Sequence, residues 1–284
     1  CLWHKAVHGP FTPADRHKDL YADAKLPEPP SFKDTFTGKP EWQRALASKK
    51  MRKNNPNAPI PASVPPDNWD GRNKNYIDYY RALAAVDDSV GRILETLKET
   101  GTLNNTLIIF AGDNGFFHGE HRRSDKRYAY EESMRIPLLM CGVGITNPGR
   151  LVEQMTVNID IAPTLLDLAG IKPLDSMQGM SLKPLLEGAS PSWRSSFLYE
   201  YFREEWLPVI PTMVAVRTQD WKYVRYPTLK DLDELYDLQS DPYEMRNLAA
   251  DPAAKRKLAE MRGELERLMK ETRYSASSTA PASR

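Results

Sequence analysis

The strongest constraint on this chain lies between residues 106 and 170, where short apolar runs alternate with helical patterns. "TLIIFAGDNG" is an uninterrupted, β-branched apolar run that ends in small residues and then Asp113, Asn114 and Gly115. A run of that kind suits a strand buried on both faces of a largely parallel sheet. "KRYAYEESMR" reads as a helix and "IPLLMCG" as a second buried strand, which holds Cys141. "IDIAPTLLDLAG" reads as another helix, whose early proline is tolerated in the first turn. Strand, helix, strand, helix defines an α/β fold, a mostly parallel sheet flanked by helices. Such sheets bind ligands beyond the carboxyl ends of their strands, and the charged stretch 113–126 falls at that position.

The flanking segments complete the outline. "NYIDYYRALAAVDDSVGRILETLKETG" places Ile77, Tyr80, Leu83, Ala84, Val90, Ile93, Leu94 and Leu97 at helical spacing, with Gly101 as the stop. Residues 9–75 are rich in proline, asparagine and lysine and read as a long extended excursion over a surface, lining a cleft or covering a neighbouring face. Beyond residue 190, "AVRTQDWKYVRY" and "DELYDL" read as short strands, and "DPAAKRKLAEMRGELERLMKETR" as a charged amphipathic helix. The expected organisation is an α/β unit over 1–190, a small α+β subdomain over 191–274 and a disordered polar tail over 275–284.

Composition removes several function classes. A chain of 284 residues that is 40% hydrophobic can bury a substantial core. Its 39 Lys+Arg and 38 Asp+Glu leave a formal charge of +1, so no global field recruits nucleic acid or an anionic membrane, and any anion must be caught locally. No apolar run is long enough to span a bilayer. The two cysteines, Cys1 and Cys141, form neither a metal-ligand spacing nor a bridge framework.

The charged stretch suggests chemistry. Asp113 and Asn114 offer a carboxylate and an amide oxygen side by side, a hard-oxygen corner suited to Ca²⁺ or Mg²⁺. The same residues also make an ordinary Asp-Asn-Gly turn. Lys126, His118, His121 and His8 are the other candidates, and each alone also fits a surface or structural role.

Taken in order, "HKAVHGPFTPADRHKDLY", "GDNGFFHGEH", "DKRYAYEESMRIPLL", "QMTVNIDIAPTLLDLAG", "MQGMSLKPLL", "AVRTQDWKYVRY" and "ELYDLQSDPYEMRNL" resemble the type I sulfatases of the alkaline phosphatase superfamily. The resemblance implies an alkaline phosphatase-like α/β fold, incomplete at its N-terminus, and hydrolysis of sulfate esters. The partner implied is a sulfated carbohydrate or another sulfate ester, most like the substrates of bacterial N-acetylglucosamine-6-sulfatase-like enzymes. It makes Asp113 and Asn114 calcium ligands, with Mg²⁺ as the alternative ion. It makes Lys126 the lysine that binds the sulfate group, and His8 the histidine that contacts the ester and protonates the leaving oxygen. Glu131 and Arg135 match a structural motif and, four residues apart, would pair to hold their helix. His121, Arg122 and Arg123 are further candidates for contact with an anionic glycan, although the arginines equally fit surface ion pairs.

These roles agree with the chemistry. A divalent cation and an ammonium neutralise sulfate oxygens as S–O cleavage spreads charge, and an imidazole can supply the proton that an alkoxide needs. Family members attack with a formylglycine hydrate made from cysteine or serine in a Cys/Ser-x-Pro/Ala-x-Arg motif, and hold the metal with a further Asp-Asp pair. Neither is present here, and Cys1 is followed by Leu2, Trp3, His4 and Lys5. The expectation is therefore a C-terminal part of a sulfatase, with formylglycine upstream, inactive alone and weakly calcium-binding. A periplasmic, secreted or lysosomal-type location follows from the resemblance only. Two alternatives stay open. One is a phosphodiesterase or phosphonate hydrolase of the same superfamily; the other is a non-catalytic glycan-binding derivative in which Trp206, Trp221, Tyr201 and Tyr223 stack on sugar rings.

Overall fold

The computed structural model describes residues 1–146, 148–230 and 232–275, so all but Ser275 of the expected tail lies outside the described residues. In chain order the elements are α1 (Glu41–Ala47), α2 (Lys74–Glu99), β1 (Leu107–Ala111), β2 (Phe117–His118), β3 (Ser124–Asp125), α3 (Glu131–Met134) and β4 (Leu138–Gly142), then α4 (Ile161–Leu168), α5 (Lys183–Leu186), β5 (Ser196–Tyr201), β6 (Met213–Thr218), β7 (Trp221–Arg225), β8 (Glu234–Asp237) and α6 (Lys255–Glu271). They fall into two compact units. Among the described residues no helix is long and apolar enough to cross a membrane.

The first unit comprises residues 1–29, 68–110 and 138–145. Its long helix α2 begins where the Asn73 side chain accepts the Asn75 amide, and it stops at Gly101, whose φ of +68 is the left-handed turn that glycine adopts without strain. Ile77, Ala82 and Val86 form its buried stripe; of the residues the helical spacing singled out only Ile77 is buried, and Tyr80, Leu83, Ile93 and Leu94 are exposed. β1 and β4 form a two-stranded sheet. At its ends the Val143 amide donates to the Thr106 carbonyl at 3.2 Å and the Gly112 amide to the Pro137 carbonyl at 3.3 Å, a pattern that runs the two strands antiparallel. The sequence located both strands. Their expected burial on both faces is not observed: Leu139 is 60% exposed and Cys141 is exposed, because among the described residues no third strand joins this sheet.

The second unit comprises residues 30–67, 111–137 and the described part of 146–284. Its centre is a four-stranded antiparallel sheet in the order β5-β6-β7-β8. Side chains alternate across the pleat, so Met213 and Ala215 face one side and Val214 and Val216 the other. On the first side they join Val224, Tyr226 and Tyr236 against Phe117, Tyr128, Ala129 and Tyr130. On the second, Val214, Val216, Tyr223 and Leu235 pack on Met261, Leu265 and Leu268 of α6. Both faces are covered, which is why "MVAV" shows no polar alternation.

Two expectations are corrected in this unit. The supposed surface excursion contains α1, and Phe32, Phe36, Lys39, Gln43, Ser48 and Val64 are buried. Its anchors are isolated and many are polar, so they leave no periodic trace. "KRYAYEESMR" is helical only over α3, because Tyr128, Ala129 and Tyr130 are all drawn into the core and no single helix face could bury three consecutive residues. In contrast, α4 carries Pro163 in its first turn as expected.

Leu265→Ala, at a fully buried position on α6, is expected to lower the unfolding free energy by about 3 kcal/mol in urea titrations. Leu139→Ala, on the open face of β4, is expected to cost about 1 kcal/mol or less in the same experiment.

Candidate anion and metal site

The site is built around the short helix α3. The Glu131 carboxylate takes a salt bridge from Lys222 at 2.9 Å and another from Arg217 at 3.2 Å. Lys222 lies wholly inside the protein and also pairs with Glu244 at 2.7 Å, while the Glu131 amide donates to Glu244 at 2.8 Å. Burial alone would raise the Glu131 pKa, but Lys222 and Arg217 override it and hold the carboxyl at about 2. Burial likewise opposes the charge on Lys222, and its two carboxylates hold its pKa above the ordinary value. The expected Glu131–Arg135 side-chain pair is therefore corrected: the two residues share only the backbone bond from the Arg135 amide to the Glu131 carbonyl, at 2.8 Å. Better counter-charges arrive from β6 and β7.

Two segments rest on α3. In the first, residues 113–115, the exposed Asp113 accepts the amide of Asn114 at 2.9 Å, and the Asn114 side-chain nitrogen donates to the Gly115 carbonyl at 2.8 Å. The Gly115 amide donates to the Ser133 carbonyl at 2.9 Å. A Cβ on Gly115 would stand 2.0 Å from the Glu132 carbonyl oxygen, so only glycine permits this approach. In the second segment, β2 and β3 pair Phe117 with Asp125 and His118 with Ser124, and Lys126 follows directly. The Ser133 hydroxyl donates to the Lys126 carbonyl. Arg127 is held by Asp125 and by Glu204 at 2.7 Å. Lys126 is half-buried, and its ammonium takes no hydrogen bond or salt bridge among the described residues.

Asp113, Asn114 and Lys126 thus sit on two segments fastened to the same turn of helix. His8 belongs to the first unit, where it is exposed with Nδ1 2.9 Å from the Gly9 carbonyl oxygen. The donors at Asp113 and Asn114 are all oxygen, which fits a hard cation in kind, and the orientation of Asn114 turns its carbonyl oxygen away from the Gly115 bond. Two side chains are fewer than the six to eight oxygens such an ion takes. Among the described residues no cluster of three or more His, Cys, Asp or Glu side chains is arranged to hold a metal.

His121, Arg122 and Arg123, expected as glycan contacts, take internal partners. His121 is fully buried, with Nδ1 2.7 Å from Asp34 and its ring stacked on Tyr130 at 4.3 Å. Burial, with Lys39 nearby, lowers its pKa to about 3, so it is neutral. Arg122 donates to the carbonyls of Pro65 at 2.7 Å and Val64 at 3.1 Å. Arg123 is buried, donates to Gln43 at 2.9 Å and lies 4.2 Å from the Tyr128 ring. All three fasten residues 30–67 to the β2–β3 hairpin, and sequence could not show this because their partners lie far upstream. Of the aromatic candidates, Tyr223 is a core residue, Trp221 and Tyr201 are half-buried, and Trp206 is 68% exposed with the Arg127 guanidinium 4.7 Å from its ring.

Sequence reading missed Glu132. Its Oε2 has no hydrogen-bond partner and stands 4.0 Å from His121 Nε2, and burial raises its pKa to about 7.

Comparison with known proteins follows from this geometry. A family model described as "Sulfatase" matches residues 5–171, and one described as "N-sulphoglucosamine sulphohydrolase, C-terminal" matches residues 119–271. An N-acetylglucosamine-6-O-sulfatase from Bacteroides thetaiotaomicron is 31% identical, over 95% of this chain and 57% of that protein. A choline-sulfatase from Rhizobium meliloti is 39% identical, over 61% of this chain and 33% of that protein. A structure solved in complex with its substrate D-glucosamine-2-N,6-O-disulfate superposes with a TM-score of 0.80 at 28% identity, covering 98% of this chain and 66% of the other. A phosphonate monoester hydrolase from Agrobacterium radiobacter superposes with a TM-score of 0.70 at 27% identity, covering 89% and 54%. The fold is that of the alkaline phosphatase-like hydrolases. Within that class, the chain belongs to the sulfatase family. It spans about half the length of the curated relatives it matches.

Glu132 sets a pH dependence. Folded, it keeps its proton up to about pH 7, whereas the unfolded chain releases it near the ordinary value of 4.5, so the folded state binds more protons between these limits. Stability therefore falls as pH rises through this window. Glu132→Gln is expected to leave the thermal midpoint nearly unchanged at pH 4.5 and to raise it at pH 8, a gain of about 3 kcal/mol read by scanning calorimetry at both pH values.

Proposed function

We propose that the protein containing this chain hydrolyses sulfate monoesters of sugars. The observation that carries this reading is the unpaired ammonium of the half-buried Lys126, fastened to the same helix as the oxygen corner of Asp113 and Asn114. A cation removed from part of its water and given no counter-charge favours an anionic ligand. Lys126 binds the sulfate group and stabilises the charge that spreads over its oxygens as the S–O bond breaks. Asp113 and Asn114 would hold a calcium ion, with magnesium the alternative, and when bound it supplies positive charge to the same oxygens. His8 is assigned the proton donor to the leaving oxygen.

The formylglycine nucleophile of the family does not fit either cysteine here. Cys1 lacks the flanking motif, and Cys141 sits within β4, so no step is assigned to them. A sugar as the alcohol is supported by the relatives named for N-acetylglucosamine 6-sulfate and by the neighbour bound to a glucosamine disulfate. The resemblance to a phosphonate monoester hydrolase keeps a phosphorus ester as the second reading.

The full-length protein is expected to cleave glucosamine 6-sulfate with a kcat/KM at least a hundredfold above that for the matched phosphate ester. Lys126→Ala is expected to lower kcat/KM for the sulfate about a hundredfold, in the range seen when one oxyanion-stabilising donor is removed. Preference for the phosphorus ester would refute the sulfatase assignment.

A further inference from the structure

We infer that Ser133 is a positioning residue, one that sets where the Lys126 ammonium stands relative to the oxygen corner of Asp113 and Asn114. This rests on the functional reading of Lys126 given above. Ser133 is buried at the centre of α3 and uses its two polar groups in opposite directions. Its carbonyl accepts the Gly115 amide at 2.9 Å, immediately after the Asp113–Asn114 pair. Its hydroxyl donates to the backbone carbonyl of Lys126. One residue therefore ties together two segments that sequence separates by a hairpin.

Neither segment could hold that spacing alone. The hairpin has strands of two residues each, far below what an isolated hairpin needs to persist. Lys126 follows its last paired residue, Asp125, whose backbone sits in the left-handed region at φ +81. On the other side, Gly115 lies so near the Glu132 carbonyl that the oxygen corner cannot shift toward α3. The corner is thus fixed against the helix backbone, and the lysine segment, anchored on either side by Asp125 and Arg127, is tied to α3 through the serine hydroxyl. Alanine at 133 keeps the carbonyl that receives Gly115 and removes the bond to Lys126 together with the hydroxyl's contact with Tyr199. The Lys126→Ala background separates the two, because the Tyr199 contact is lost in either background.

The test is a double-mutant cycle on the 284-residue chain, titrated with glucosamine 6-sulfate in the presence of calcium, by isothermal calorimetry or ligand-observed NMR. Ser133→Ala is expected to weaken binding about fivefold, the effect of one lost hydrogen bond of ordinary strength. Ser133→Thr, which keeps the hydroxyl, is expected to restore binding to within twofold of the parent. In a Lys126→Ala background, Ser133→Ala is expected to have no further effect, because the serine acts only through the lysine. A purely structural serine would instead lower affinity equally in both backgrounds, and that result overturns the inference. Unchanged affinity in Ser133→Ala, with Lys126→Ala clearly weakened, overturns the inference and leaves the functional reading intact. Failure of the parent chain to bind the ester, or equal binding by Lys126→Ala, removes the functional reading and the inference with it.

Discussion

The arrangement depends on the ammonium of Lys222, which is taken wholly out of water. Removing such a charge from solvent costs several kcal/mol, and the cost is offset only where counter-charges and hydrogen bonds are well placed. Glu131 at 2.9 Å and Glu244 at 2.7 Å supply them. Lys222 projects from β7, which is paired on both sides by β6 and β8. The first residue of α3 is thereby referenced to the most rigid element of its unit. Ser133 follows two residues later, and from it hang the segments that carry Asp113, Asn114 and Lys126. A four-residue helix would not persist in water by propensity. Here it is held at its start by charge and along its length by what it supports.

A second buried network begins one residue earlier. Glu234 accepts from the hydroxyls of Tyr130, Tyr226 and Tyr236 and from Gln43 at 2.8 Å. Asp34 binds Lys39 at 2.9 Å and His121 at 2.7 Å. Partly satisfied polar networks are costly in a low dielectric, so the two unpartnered atoms here, His121 Nε2 and Glu132 Oε2, call for an account. Asp34 selects the tautomer of His121 that carries its proton on Nδ1, which leaves Nε2 as an acceptor. Glu132 Oε2 lies 4.0 Å away, beyond hydrogen-bond reach, and the burial that leaves this oxygen without a partner is also what raises the Glu132 pKa.

What sequence revealed, and what it did not, divides along chain distance. Helices α2, α4 and α6 and strands β1, β4, β6, β7 and β8 announce themselves because periodicity and end signals are local. Sequence reading missed β5, "SFLYEY", although it is as long as β6. The burial of residues 30–67 was illegible, since Lys39, Gln43 and Asp34 are buried by partners 80 to 205 residues away, a separation that no local pattern encodes. The same holds for Glu131, whose spacing offered Arg135 while the fold delivered Lys222. The roles of Asp113, Asn114, Lys126 and His8 came from resemblance and not from spacing. Nothing local in "DNG" separates a metal corner from a turn, and the contact of Gly115 with α3 is visible only in three dimensions.

On the proposed reading, the charge cradle would explain why sulfate and phosphonate hydrolases share this scaffold. An ammonium and a hard-cation corner attract any tetrahedral oxyanion, and their placement is set by α3 and the sheet, whose contacts do not depend on the atom at the anion's centre. Discrimination must then come from groups outside the cradle. Charge can separate a sulfate monoester, which carries one negative charge, from a phosphate monoester, which carries close to two, and an extra cation would favour the latter. A phosphonate monoester also carries one, so its discrimination from sulfate rests on shape and on the group attached to the central atom. In the second unit Arg122, Arg123, Arg127, Lys39 and Lys222 are all committed to carbonyls, carboxylates or other internal partners, whereas Lys126 and the exposed Arg135 take no side-chain partner among the described residues.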